Sequence, residues 1–248
     1  MGPKKQLRGQ IEQLLVALTQ LRTRLLAGAT RDPETLHDFR VALRGLRTLL
    51  PLLLSKSDLL NAAIKAGWRE LAQLSGPARD AEVMLAALPS QHPAARRLRA
   101  QKRMAYQQLI RRLQQVHWPV LHAATVVQLE RQLRSRAVLH ARIKRRTQRL
   151  THQVRQLMVA PATPQQWHQL RIAIKRLRYL IEYTQHWQPR ALLAIFLPLK
   201  QAQSVLGEMH DLDVRCAAGL VLPDDEMLRL TLQQQALQAL AQLALPRE

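Results

Sequence analysis

Two stretches of this sequence repeat one pattern of basic side chains. His37, Arg40, Arg44 and Arg47 are spaced three, four and three residues apart in "HDFRVALRGLR", and His168, Arg171, Lys175 and Arg178 keep that spacing in "HQLRIAIKRLR". At about 100° per residue, each set falls within an arc of about 80° on an α-helix, a stripe about 15 Å long. The chemistry of such a stripe is anion binding. Arginine offers five donors in a planar fork that matches phosphate oxygens, and a histidine beside phosphate favours its protonated, doubly donating form. The plain alternative is a solvated helix face whose stems lie along the core, with each histidine bonded to a neighbour. A solvated face would mix in glutamates at i,i+4 to soften the repulsion. These stripes contain no acid and set Arg44 beside both Arg40 and Arg47. A local cost paid in two places favours a bound anion.

The elements that must carry the stripes are helices. Leu, Ala, Gln and Arg dominate, with 8 glycines and no hairpin dipeptide between alternating segments. Breaks marked by Pro, Gly and polar clusters divide the chain into long helices at about 4–28, 33–54, 58–75, 92–117, 121–159, 164–187, 190–206 and 224–244. Asp32-Pro33-Glu34 and Thr163-Pro164 read as helix starts, a capping side chain followed by proline in the first turn. Phe39, Leu43, Leu46 and Leu50 lie on the face beside the first stripe and belong in the core.

The two stripes are part of a longer internal repeat. A shift of 131 residues carries His37 onto His168, and also Gly76 onto Gly207, Asp80 onto Asp211 and Val83 onto Val214. The helix at 4–28 maps onto 135–159 without a gap. The expected fold is all-α: two four-helix units related by a pseudo-twofold axis in one domain, with repeat one at about 1–120 and repeat two at about 121–248. Asp80 and Asp211, each after a glycine turn, are expected to cap the next segment or orient an arginine rather than to catalyse.

Composition narrows the partner. The 248 residues are 47% hydrophobic, ample for a core, and 38 Lys and Arg against 17 Asp and Glu leave a net charge of +21. A surplus that large calls for a polyanion: nucleic acid, an anionic membrane or polyphosphate. Cys216 is the sole cysteine, so no internal disulfide and no cysteine-based zinc site is available. No signal peptide and no spanning segment is read. Further basic rows occur. On the segment read as one helix over 121–159, Arg131, Arg134, Arg142, Arg145 and Arg149 share an arc of about 80° with His152 at its edge. Arg96, Arg99 and Arg103 form a shorter row.

The pattern H-x-x-R-x-x-x-[RK]-x-x-R, present twice, resembles the two signature helices of the CHAD domain, the conserved histidine α-helical domain. "LSGPARDAEV" and "LGEMHDLDV" are similar to the segments that follow in each half of that family. The resemblance covers nearly the whole chain. It implies two pseudo-symmetric four-helix bundles whose basic residues line a central groove, and the binding of inorganic polyphosphate by a cytoplasmic protein that accompanies polyphosphate granules. Matched by position, the polyphosphate contacts are His37, Arg40, Arg44 and Arg47 with His168, Arg171, Lys175 and Arg178, and Arg79 in "ARD". Arg176 and the row Arg142, Arg145 and Arg149 are further candidates. Gly45 departs from the pattern, standing where the second half has Arg176.

Polyphosphate suits these residues because it has charge and oxygens but no bases to stack. No enzyme activity, cofactor or metal is expected. Nucleic acid is the main rival and is expected only as a competing polyanion. The nine aromatic residues are few for stacking on single strands, and no base-reading motif is present. A phosphoanhydride enzyme would want a phosphate-cradling glycine loop or clustered carboxylates beside the stripes, and neither is seen. Stripes abutting core faces do not make a free amphipathic helix for a membrane surface.

Overall fold

A computed structural model describes residues 2–28, 32–54, 58–89, 91–133, 135–159, 161 and 163–246. Among these the regular structure is helical. The helices run α1 (Pro3–Leu26), α2 (Pro33–Leu53), α3 (Leu59–Leu74), α4 (Gly76–Ala87), α5 (Ala95–Gln115), α6 (Trp118–Gln132), α7 (Arg136–Leu157), α8 (Pro164–Tyr183), α9 (Arg190–Ala194), α10 (Phe196–Ala217) and α11 (Asp225–Ala241). The chain divides into two compact units, Met1–Leu139 and His140–Glu248.

Both stripe helices start where capping chemistry dictates. Asp32 accepts from the Glu34 amide at 3.0 Å and from the Thr35 hydroxyl at 2.7 Å, with Pro33 in the first turn of α2. Thr163 forms a capping box with Gln166 ahead of α8, with Pro164 in its first turn. Each cap satisfies amides that have no partner within the helix.

In the first unit α1 packs on α2, α2 on α3, and α4 on α5. Leu36, Phe39, Leu43, Leu46 and Leu50 of α2 are buried, as are Leu7, Ile11, Leu15 and Leu18 of α1, the helix it packs on. The α6 helix belongs here too. Trp68 and Trp118 meet edge to face at 5.3 Å, and their indole N–H groups donate to Thr125 and Thr19, each at 3.0 Å. The sequence reading ended the first repeat near 120. The unit runs on to Leu139 because Trp118 and Thr125 tie α6 onto α1 and α3. In the second unit α8 packs on α10 and α10 on α11.

The shift of 131 holds for the buried faces of the stripe helices: Phe39, Leu43, Leu46 and Leu50 fall on Leu170, Ile174, Leu177 and Ile181. It fails by one residue for the preceding helices. Buried Leu7, Ile11 and Leu18 correspond to buried Leu139, Ile143 and Leu150, a shift of 132, so the gap-free match of 4–28 onto 135–159 is corrected. Helix boundaries also differ, and α4 forms over a segment to which the sequence reading gave no helix. The segment read as one helix over 121–159 breaks between Gln132 and Arg136, which divides its arginine row. Arg131 stays on α6, and Arg134 lies outside the described residues.

The break read near Gly207 is absent: α10 runs through it to Ala217. A helical glycine costs only about 1 kcal/mol, less than burying Leu206, Met209 and Leu212 around it returns. In the first unit the equivalent helix does break, at Ser75, because Pro77 has no amide to give Gln73 and its ring crowds that carbonyl. Pro198 acts likewise at Ile195, between α9 and α10.

Candidate functional site

The first stripe lies along the edge of the buried face of α2. His37, Arg40 and Arg44 are half-buried and Arg47 is exposed. Arg40 reaches across to the break between α3 and α4, where its Nη1 donates to the Ser75 hydroxyl at 3.1 Å and approaches the Ala72 carbonyl at 3.5 Å. The Ser75 hydroxyl itself donates to that carbonyl at 2.9 Å. Burial pushes the Arg40 guanidinium below its ordinary value. Asp80 pulls the other way, and the charges of Arg44, Arg79 and Arg47 push it down further. The fold therefore sets Arg40 within the field of three further arginines, with Asp80 opposing them. Asp80 does not cap α4: it sits exposed inside that helix, and what it does is balance Arg40.

Arg79, carried on α4, is anchored by Glu82. That carboxylate is 7% exposed and accepts from Tyr106 at 2.7 Å, from Lys102 at 3.2 Å and from Arg79 at 3.3 Å. Burial, then the bond to Glu82, keeps the Tyr106 hydroxyl well above its usual range.

The second stripe repeats the first on α8, but its neighbours differ. His168 meets His210 of α10, the two Nδ1 atoms 3.2 Å apart and the rings 4.6 Å between centres. One ring must carry the proton and the other accept it. Both imidazoles are held below the ordinary histidine value, by burial first and then by Arg171 and Lys175. His210, which also faces His168, is pushed down to about 4. His210 was missed in the sequence, although a signal existed: it is Arg79 displaced by 131.

Arg178 is set apart from the rest of its stripe. It is 7% exposed, donates to Gln203 at 2.7 Å, pairs with Glu182 at 3.2 Å, and lies 3.8 Å from the centre of the Tyr179 ring. The sequence reading gave it a contact with the anion. In the structure its guanidinium lies instead against Glu182, one turn on, and Gln203 of the facing helix. Asp211, like Asp80, lies inside its helix rather than at the N-cap position.

The remaining candidates lie elsewhere on the second unit. On α7, Arg142 is half-buried while Arg145 and Arg149 are exposed, and Arg176 is exposed on α8. Arg146, which the sequence reading passed over, is half-buried, and burial first, then the charges of Arg176 and Arg149, hold its guanidinium below the ordinary value. In the first unit the row Arg96, Arg99 and Arg103 is exposed along α5.

Each stripe is an array of donors with positive charge, fitted to hold oxygens of an extended anion. Among the described residues no three His, Cys, Asp or Glu side chains are grouped so as to hold a metal ion. Among the same residues no helix is long and apolar enough to cross a membrane.

The family model for the CHAD domain matches residues 6–218. The fold is similar to the crystal structure of the CHAD domain from the plant Ricinus communis, with a TM-score of 0.71 at 19% sequence identity over 100% of this chain and 94% of that one. No curated protein matches the chain. With the family model spanning both stripe helices and the segments that follow them, the chain belongs to the CHAD domain family.

Proposed function

We propose that this protein binds inorganic polyphosphate through its two stripes and performs no chemistry on it. One observation carries the reading. Each unit places basic side chains along a partly buried helix edge, the cations Arg40, Arg44, Arg47 and Arg79 in one, and the cations Arg171 and Lys175 beside two neutral histidines in the other. Such a row raises the free energy of the empty protein, and a linear polyanion lowers it. Each charge-assisted hydrogen bond to phosphate contributes roughly 1.5–3 kcal/mol net, so a few from each stripe outweigh the cost of ordering a flexible chain.

Polyphosphate is favoured over single-stranded nucleic acid by where the aromatic rings lie. Phe39, Trp68, Tyr106, Trp118, Trp167 and Tyr179 are buried, and Tyr183, Trp187 and Phe196 are half-buried. None of the nine stands out as a platform for bases, which in single-strand binders supplies about 1–3 kcal/mol per base. The same reading puts the protein in the cytoplasm, at polyphosphate granules.

The test is calorimetric titration with long-chain polyphosphate at several salt concentrations, on the native protein and on Arg44→Gln with Lys175→Gln. The double variant should bind more weakly and with a shallower salt dependence. Unchanged affinity removes the stripes from the interface. Long polyphosphate should displace RNA at equal phosphate concentration, and its chain length should be unaltered after incubation with the protein and magnesium.

A further inference from the structure

The outward face of α11 carries apolar side chains where α5 of the first unit carries arginines. Met227, Leu230 and Leu237 are exposed by 70%, 53% and 51%, and Gln234 and Ala241 in the same row are exposed too. With Met227 set at zero, these five fall within an arc of about 80°. The buried Asp225, Leu232, Ala236 and Leu240 lie on the far side of the helix. In the sequence, the shift of 131 sets Met227, Leu230 and Gln234 on Arg96, Arg99 and Arg103, the exposed row of α5. Among the described residues no other helix exposes as many large apolar side chains as α11.

The spacing fits a helical partner. Steps of three, four, three and four residues repeat the seam of a two-helix coil, with Met227, Gln234 and Ala241 at one set of positions and Leu230 and Leu237 at the other. Charge narrows the partner further. The chain carries +21, which keeps copies apart over most of the surface. On α11 the balance reverses, with Asp224, Asp225 and Glu226 at its start against Arg229 alone. Asp225 is taken by Arg215, and Arg229 by Asp213 at 3.0 Å. Asp224 and Glu226 are exposed and, among the described residues, make no ion pair. An acidic partner is drawn to the rest of the molecule. This face selects a basic partner that presents an apolar helix of the same spacing, and a second copy of the chain has both.

We propose that α11 is a dimerisation surface, on which two copies pair these helices antiparallel about a twofold axis. Antiparallel pairing lays the first turn of each helix, with Asp224 and Glu226, over the last turn of its partner, which has no basic residue and no acid. The two acidic ends then stand about 25 Å apart along the pair, well beyond the screening length of about 8 Å at physiological salt. Parallel pairing would press them together. One pair of 17-residue helices gives an interface at the small end of the specific range, so the dimer assembles and separates with concentration. None of these residues belongs to a stripe, and all lie beyond the residues that the family model matches. The surface does not depend on what the stripes bind.

The experiment is sedimentation equilibrium of the full chain, freed of nucleic acid and polyphosphate, over a wide range of concentration in low and in high salt. The native protein should pass from monomer to dimer as concentration rises. Salt should tighten the dimer several-fold, because it screens the repulsion between two copies at +21. Leu230→Glu and Leu237→Glu each set a charge in the apolar seam and should weaken the dimer by about tenfold or more. Both positions are exposed in the monomer, so Tm of the dilute protein should not change. Arg99→Gln, on the matching row of α5, should leave the dimer intact. In a Cys216→Ser background, Met227→Cys should stay unlinked under oxidation, and a disulfide-linked dimer there would mark a parallel pair and overturn the arrangement. A monomer at every concentration and salt overturns the dimer and leaves the face to a partner of another kind. A dimer that the two glutamate variants do not weaken lies elsewhere on the molecule and overturns it equally. Association that weakens with salt is bridging by a retained polyanion and counts against it in the same way.

Discussion

The first stripe and the second share a sequence pattern and differ in what faces them. At the position 131 residues apart on the neighbouring helix, the first unit has Arg79 and the second has His210. At the last position of the stripe, Arg47 is exposed while Arg178 is enclosed by Glu182, Gln203 and Tyr179. One motif therefore serves two electrostatic settings. At that facing position the first unit carries fixed positive charge, because arginine does not lose its proton in a protein. In the second, two of the basic groups, His168 and His210, are held neutral near pH 7 by burial and by Arg171 and Lys175.

The largest effect that separates the stripes should be on stability. Arg178→Ala removes an ion pair, a hydrogen bond and a ring contact at a buried position, and should cost about 2–4 kcal/mol. Arg47→Ala, at an exposed position, should stay within about 0.5 kcal/mol. Urea denaturation of the two variants makes the comparison, and equal losses would erase the distinction drawn between the last positions of the two stripes.

The next effect is on binding at different pH. An anion at the second stripe stabilises the imidazolium forms, so affinity should rise several-fold as pH falls from 7.5 towards 5.5, with net proton uptake. The exchange variants sharpen this: His210→Arg should reduce the pH dependence contributed by the second unit, and Arg79→His should increase that of the first. Titration in buffers of different ionisation enthalpy reads the proton count.

The same histidines set a pH dependence of folding that runs in the opposite direction. Their folded-state values lie below the ordinary 6.5, with His210 at about 4. Between those values the unfolded chain binds more protons than the folded one, so the unliganded protein should lose stability as pH falls from about 6.5 towards 4. His210→Asn should reduce that loss, as measured by Tm across the range.

The smallest effect concerns the paired glycines. A Cβ on Gly207 meets nothing within 4 Å, and one on Gly76 reaches only the Arg40 Nη1 at 3.7 Å, an ordinary contact. Neither backbone has positive φ. Gly207→Ala, inside a continuous helix, should therefore stabilise by up to about 1 kcal/mol, and Gly76→Ala, in a first turn, by less. A loss at Gly207 would mean that the shared glycine answers to a contact made only with a partner or ligand.

Helix starts at Asp32 and Thr163 were legible because a cap and a proline act within one turn. The break at Gly207 was misread because glycine merely weakens a helix, and whether the helix continues depends on what Leu206 and Met209 bury against. The stripes were legible as angular rows, but the row on α7 was read over a helix that breaks before Arg136. Phase alone selected Arg145, which faces solvent, and passed over Arg146, which is half-buried within the field of Arg176.

The sequence by itself determined the all-helical class, the repeat and the surplus of cations, because composition, periodicity and net charge are properties of the chain however it folds. The tertiary structure alone decided which cations stay available to an anion. That depends on the residue supplied by the facing helix, be it Glu182, Gln203, His210 or another arginine, and on how much water each guanidinium or imidazole gives up when the helices close on it.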